Sequence, residues 1–567
     1  MSRNDHHDDT RGMGRRDCGM NRRDFMKLGG TGAAAAALGA AGCAPGERGP
    51  SVGPSGNDQW WVDQSFELEE VTISELADAM ASGDRTSAEI TELYLDRIAA
   101  LDRSGPRLRS IIETNPDALE VARRLDEERA SGNVRGPLHG VPIVLKDNID
   151  TADGMTTTAG SYALEGHVAA QDSGVAARLR EAGAVLLAKA NLSEWANIRS
   201  SRSSSGWSGR GGQCGNAYAI DRNPCGSSSG SGASVSANFC AGAIGTETNG
   251  SVVCPSSVNG VVGIKPTVGL VSRAGIIPIA HTQDTAGPMT RSVADAAAIL
   301  SALVGPDPRD PQTEPSARFA GTDYTQHLDA DGLRGARIGI ERSHFGNHPV
   351  VDSLMEDAIR AMSAAGATIV DNTVIETRRE FSQASFQILL YELKADLAAY
   401  LEMSGRPNGM ATLADVIAFN EENADREMPY FGQEIFLMAE EKGDLTSQEY
   451  LDAVRTAGEL SRARGIDAVM EAHQLDAIVA PTTGPAWKID LVTDDGSSYG
   501  SSGSAAISGY PSITVPNGYV FGMPVGILFF GRAWSEDVLI RLAYAYEQAT
   551  QHRRAARMPL SLDLANA

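Results

Sequence analysis

Apolar side chains recur at steps of three and four from Thr72 to about Glu128: Ile73, Leu76 and Met80, then Ile90, Leu93, Tyr94, Ile98 and Leu101. That spacing predicts amphipathic helices, with Thr72, Thr86 and Ser87 as caps. The pattern then changes. In HGVPIVLKDNID the short apolar run from Val141 to Leu145, bounded by Gly140 and polar residues, reads as a buried strand. Residues 173–183 read as a helix and AVLLAKAN as the next strand, a succession that predicts a parallel unit. Residues 199–232 are dense in Ser and Gly with almost no periodicity, and ASVSANFCAGAIGTE after them reads as small apolar helix and strand. From 290 to 480 the spacing is mostly helical, interrupted by ARIGIER and ATIVDN as strands. LDAIVAP, PSITVPN and VGILFFG read as the closing strands. No repeat period appears. The pattern predicts one large α/β core over residues 67–555, with a helical elaboration at about 370–470.

Composition narrows the function classes. The 567 residues carry 49 Lys and Arg against 73 Asp and Glu, a formal charge of −24, which disfavours nucleic acid as a partner. No apolar run reaches the roughly 18 residues of a membrane span. Six cysteines are too few for a disulfide scaffold, and no CxxC pair or Cys/His cluster suggests zinc.

The N-terminus reads as an address. Asn21-Arg22-Arg23-Asp24-Phe25-Met26-Lys27 precedes a short Ala/Gly-rich stretch ending at Cys43, as in a twin-arginine export signal over residues 1–42. Ala41-Gly42-Cys43 resembles a lipoprotein cleavage site at which Cys43 would become the lipidated first residue, although Ala40 stands where Leu is usual. Residues 43–66 read as a Pro/Gly/Ser-rich tether. Seven basic and five acidic residues fall within 1–42, so the remainder carries −26. Export, periplasmic or extracellular and with a lipid tether at Cys43, places Cys214, Cys225, Cys240 and Cys254 in an oxidising compartment. Cys214 and Cys225 could close a small loop, but spacing alone establishes no pair, and buried free thiols are an equal alternative.

Three separated segments carry the candidate chemistry. The first is Gly136-Pro137-Leu138-His139-Gly140-Val141-Pro142-Ile143-Val144-Leu145-Lys146-Asp147-Asn148. The second is Asn223-Pro224-Cys225-Gly226-Ser227-Ser228-Ser229-Gly230-Ser231-Gly232. The third is Gly245-Thr246-Glu247-Thr248-Asn249-Gly250-Ser251, followed by VVCP and then Gly263-Ile264-Lys265-Pro266-Thr267. Gly226 to Gly230 also fits a nucleophile elbow centred on Ser228, but loop and Pro224 precede it where a strand is needed. A serine hydroxyl needs a neighbouring base, and lysine serves only when neutral, which an apolar setting such as Val141 to Leu145 favours. A second hydroxyl between the two can accept one proton and donate another. The Thr248–Ser251 turn offers successive backbone N–H groups to an oxyanion. Trp195 and Trp207 flank the Ser-rich segment, as groove lining or as core.

Together the three segments resemble the amidase signature family, and CGSSSGSG and GTETNGSVVCP are most similar to the bacterial peptide amidases. The resemblance runs from about residue 70 to 550 and includes AAISGYPSITVPNGYVFGMPVGILFFGRAW. It implies a mixed sheet covered by helices in a single α/β/α domain. It also implies a serine acyl-enzyme with Ser251 as nucleophile, Ser227 as bridging serine on a cis peptide bond, and Lys146 as base. Thr248, Asn249, Gly250 and Ser251 would form the oxyanion hole, and no metal or organic cofactor is implied. Cys225 replaces a residue that is Gly in many members. The implied reaction is hydrolysis of a carboxamide, first a C-terminal peptide amide, to carboxylate and ammonia. The alternatives are an enzyme like the amidotransferase subunit that works on glutamyl-tRNA, a fatty or aryl amide hydrolase and, outside the class, a catalytically silent binding protein.

Overall fold

Every residue of Pro142–Lys146 is buried although alternate side chains of a strand point to opposite faces, so both faces of the sheet that holds it are covered. The computed structural model describes residues 66–496, 499–562 and 564; the expected export signal and nearly all of the tether lie outside them. Eleven strands form one mixed sheet, in the spatial order Ile111–Thr114, Val185–Ala190, Pro142–Lys146, Gly242–Glu247, Thr285–Thr290, Val262–Lys265, Ser512–Val520, Met523–Phe530, Ala477–Pro481, Arg337–Ile340 and Thr368–Val370.

Pro142–Lys146 runs parallel to both neighbours, Val185–Ala190 and Gly242–Glu247. The helix Gly174–Glu181, capped by Ser173, provides the crossover that a parallel pair requires. Leu145 pairs with Ile244, so Lys146 at the end of its strand comes out beside Thr246. The segments that the sequence separates by about a hundred residues therefore meet at one sheet end because the strands share direction and register.

Two sequence readings change. The helical reading of Thr72 to Glu128 holds for Ile73–Ser82, Ser87–Ile98 and Ala118–Ala130, but Ile111–Thr114 between them is an edge strand, antiparallel to Val185–Ala190. Ser228 follows no strand: it precedes the helix Ser229–Ser236, and its hydroxyl is buried between the backbone O and N–H of Thr246, at 3.0 and 3.1 Å. That side chain fastens a loop to the sheet, which removes the nucleophile-elbow reading.

The helical elaboration is present. Its longest member, Arg378–Met403, packs Leu393, Leu397, Tyr400 and Leu401 with Leu413, Val416 and Phe436 against Leu164, Trp195, Ile277 and Ile279. This layer stands over the sheet end that bears Lys146 and supplies one wall of a cavity there.

Candidate active site

Lys146 is fully buried at its strand end, with its ammonium nitrogen 2.8 Å from Ser227 Oγ, 2.9 Å from Thr246 Oγ1 and 3.3 Å from Thr246 O. Burial pulls its pKa down to about 7, and the carboxylates of Asp284 and Glu247 offset that only in part. A neutral amine here can donate two protons to Thr246 and turn its lone pair to the Ser227 hydroxyl. Two other lysines of the described residues are fully buried, and neither reaches a serine. Lys189 donates to Ile149 O at 2.7 Å and Thr157 Oγ1 at 2.8 Å, and Lys265 donates to Pro266 O at 3.0 Å.

Ser227 is 1% exposed and follows a cis Gly226–Ser227 peptide. Its carbonyl accepts from Ser193 N at 3.0 Å. A Cβ on Gly226 would lie 2.1 Å from Ser193 Oγ, so a larger residue here would have to displace that hydroxyl. Ser251, 9% exposed, lies against the same segment: its carbonyl accepts from Ser228 N at 3.1 Å. The structure thus brings Lys146, Ser227 and Ser251 to one place.

The turn before Ser251 corrects one expectation. The buried Glu247 carboxylate accepts from the backbone N–H of Gly250 at 2.8 Å, Val252 at 2.8 Å and Val253 at 3.1 Å. The Gly250 N–H is therefore occupied and not free for an oxyanion. Among the described residues, the N–H groups of Thr248, Asn249 and Ser251 have no protein acceptor and remain for that task. Gly250 instead contributes its left-handed φ of 85°, which curls the turn around the carboxylate. Asp284 pins the same turn: it accepts from Thr248 Oγ1 at 2.5 Å and from Ile279 N and Ala280 N at 2.8 and 2.9 Å. Glu247 lies inside a quoted motif and Asp284 outside all of them. Their work depends on a folded turn, and the one available signal was a lone acid among small residues before Gly250.

The structure decides the cysteine pairing that spacing leaves open. Cys225 is bonded to Cys254, with Cα atoms 6.0 Å apart, while Cys214 and Cys240 are buried free thiols. The loop that Cys214 and Cys225 could close does not form, because the fold sets the Ser227 segment beside the first turn of Val253–Val258.

Two cavities flank the Thr248–Ser251 turn. The first, about 260 Å³, touches Asn148, Thr246 and Thr248 and has mostly apolar walls that include Ile276, Ile277, Pro278, Ile279, Ala399 and Met403. Asn148 is 2% exposed; its Nδ2 donates to Thr246 Oγ1 at 3.0 Å, and its Oδ1 has no protein partner among the described residues. The second, about 370 Å³, is polar and borders Gly226, Asn249, Gly250 and the disulfide. Trp195 and Trp207 line neither. Trp195 packs edge-on to Phe436, and Trp207 edge-on to Tyr430 and Phe431, as core.

Among the described residues, His281, Glu392 and Asp396 form the one cluster whose ligand atoms could converge on a cation. Those atoms already bond one another: His281 Nδ1 lies 2.9 Å from Asp396 Oδ2, and Nε2 lies 3.3 Å from Glu392 Oε1. Tyr450 Oη and Thr282 occupy Glu392 further.

Known proteins resemble this chain along most of its length. Residues 89–540 match the Amidase family model, and residues 19–39 match the twin-arginine translocation pathway signal sequence, which supports export across a membrane. A probable amidase of Arabidopsis thaliana is 44% identical over 503 residues, 87% of this chain and 92% of that protein. A glutamyl-tRNA(Gln) amidotransferase subunit of Myxococcus xanthus is 36% identical, over 85% and 98% of the two chains. The crystal structure of the native peptide amidase of Stenotrophomonas maltophilia superposes with a TM-score of 0.82 at 50% identity, covering 87% of this chain and 99% of that one. A peptide amidase in complex with the competitive inhibitor chymostatin superposes at 0.84 and 51% identity, covering 87% and 100%. The chain belongs to the amidase family and is an amidohydrolase with a single large α/β domain.

Proposed function

We propose that this amidase hydrolyses C-terminal peptide amides through Ser251, with Ser227 and Lys146 as its proton relay. The observation that carries the reading is the 2.8 Å bond from a fully buried lysine to Ser227, whose own segment holds the Ser251 carbonyl. Ser251 Oγ attacks the amide carbon while its proton passes to Ser227 and that of Ser227 to neutral Lys146. The oxyanion forms against the free N–H groups of the Thr248–Ser251 turn; one such donor contributes about 3 kcal/mol. The C–N bond then breaks as the proton returns through Ser227 to nitrogen, and ammonia leaves. Water attacks the acyl-enzyme along the same relay and releases the carboxylate. The unpaired Asn148 Oδ1 offers an acceptor for an N–H of the scissile carboxamide, and the apolar cavity beside it suits the side chain of the terminal residue.

The similarity to peptide amidases supports this substrate class. The relatives named as amidotransferase subunits favour a tRNA-bound role, which an acidic exported chain fits poorly. We further propose that the exported enzyme is periplasmic and tethered by lipid at Cys43.

The test is ammonia release from short peptide amides, with fatty and aryl amides alongside, and serine labelling by a fluorophosphonate. Peptide amides should be turned over fastest, and Ser251→Ala should abolish both turnover and labelling. Retained activity in Ser251→Ala, or preference for a fatty amide, would overturn the respective half.

A further inference from the structure

The Cys225–Cys254 disulfide joins the segment that carries Ser227 to the segment that carries Ser251. Cys225 stands two residues before Ser227, and Cys254 three after Ser251. Beyond Ser227, the same segments are tied by the Ser228 N to Ser251 O bond at 3.1 Å. Ser227 therefore lies between two attachments, and Ser251 forms one end of the second. A single hydrogen bond acts as a hinge, and the covalent tie fixes the angle about it. A third link, Asn259 Nδ2 to Pro224 O at 3.0 Å, keeps the segments in contact whatever the state of the sulfurs.

The disulfide borders the 370 Å³ polar cavity together with Gly226, Asn249 and Gly250, and Cys254 is only half-buried. A small thiol can reach it from there. Cys214 and Cys240 are enclosed, and burial raises both thiols, so they are poor exchange partners.

We propose that Cys225 and Cys254 are positioning residues of the amidase reaction: their disulfide holds Ser227 and Ser251 in register, so the enzyme is thiol-sensitive and is completed only after it leaves the reducing cytoplasm. The proposal rests on the Ser251–Ser227–Lys146 reading. The twin-arginine signal at residues 19–39 belongs to a route that carries folded chains out of a compartment where thiols stay reduced. Bond formation needs a disulfide oxidant, either a protein disulfide or glutathione disulfide. One cysteine thiolate attacks it, making a mixed disulfide and expelling one thiolate. The other cysteine thiolate then displaces the second. Two electrons pass to the oxidant, which leaves as two thiols carrying the two cysteine protons.

The full-length protein is assayed well below its melting temperature, before and after dithiothreitol, with the opened cysteines identified by alkylation and mass. Reduction should lower kcat and the rate of Ser251 labelling by about tenfold to a hundredfold, the range a misplaced catalytic group produces. KM and circular dichroism should stay close to their starting values, and glutathione disulfide should restore the activity. The Cys225→Ser/Cys254→Ser double variant should be as slow as the reduced enzyme and indifferent to thiols, whereas Cys214→Ser should stay sensitive. Protein held in the cytoplasm by Arg22→Lys/Arg23→Lys should carry both thiols and gain activity on oxidation. Full kcat in protein shown to be reduced would overturn the proposal, even with a lower melting temperature, since the bond would then be a structural staple. A disulfide that no added thiol opens in the folded enzyme would overturn the thiol sensitivity. Loss of the double variant to misfolding leaves the reduced wild type to decide. Labelling at a residue other than Ser251 would count against the triad reading and not against the disulfide.

Discussion

A lysine held near pKa 7 gives the enzyme a testable acid limb. Burial disfavours the charged form, so Lys146 is protonated below about pH 7 and neutral above it. Only the neutral amine accepts the Ser227 proton, and kcat/KM should therefore rise through an apparent pKa of about 7 and level off on the alkaline side. A profile measured from acid to alkaline pH checks this; an acid limb centred in the carboxylate range, about 4, would remove Lys146 from the role. Lys146→Met should cut kcat by roughly 10²- to 10⁴-fold while leaving the fold intact. Glu247→Gln tests the turn. It replaces one acceptor oxygen by a donor that faces a backbone N–H, a mismatch worth about 1–3 kcal/mol. Its kcat should fall about tenfold or more with KM little changed; an unchanged kcat would mean that the turn keeps its shape without the clamp. At this scale Lys146, Ser227 and Ser251 were legible because each stands in a long motif. Glu247, Asp284 and Thr246 were not, because a carboxylate or hydroxyl that organises backbone groups leaves no spacing in the sequence. The Cys225–Cys254 pair was illegible for a related reason: only the fold says which of four sulfurs come within reach.

The helix Arg378–Met403 presents Asp396, Ala399, Tyr400 and Met403 to the apolar cavity, where the proposed reading seats the side chain of the substrate's terminal residue. Ala399 is exposed on that wall, so a larger side chain can enter the cavity without disturbing the core. Ala399→Phe should lower kcat/KM for amides of bulky apolar residues by about tenfold, roughly the discrimination one or two methylenes give in an apolar pocket, and leave glycinamide-type substrates near wild type. Equal loss across the series would place the side chain of the substrate elsewhere. Strand identity was legible where apolar runs are short and bounded, as in Pro142–Lys146, Val185–Ala190 and Met523–Phe530. Thr285–Thr290 was not, since its TAGPMT sequence places Gly287 and Pro288 inside a central strand, where a missing N–H normally argues against one. The long helix reads weakly as amphipathic because it serves two cores: Leu393, Leu397 and Leu401 face one, and Phe381, Ile388 and Tyr391 the other. Apolar positions that belong to two faces blur a single stripe.

At the scale of the whole molecule, one sheet of eleven strands brings segments far apart in sequence to one end of the sheet, which suits export of a folded chain whose disulfide closes afterwards. The arginine pair lies within the matched signal at residues 19–39, and its charge should be necessary but not sufficient, since twin-arginine recognition is receptor-read. Arg22→Lys with Arg23→Lys should hold the protein in the cytoplasm while the purified, oxidised enzyme keeps its activity, because neither residue lies in the amidase match at 89–540. If Cys43 carries lipid, Cys43→Ala should move exported enzyme from the membrane fraction to the soluble one, since no helix among the described residues is long and apolar enough to cross a membrane. The same variants separate the two readings of the family likeness. An amidotransferase-type partner must hold tRNA, and a chain of formal charge −24 should fail to bind it even at low salt, where phosphate contacts are strongest. Fractionation and a tRNA-binding titration on the same preparations decide the matter. Soluble enzyme from the wild type would remove the tether, unaltered export of the double-lysine variant would remove the twin-arginine route, and tRNA retained at physiological salt would return the chain to the amidotransferases.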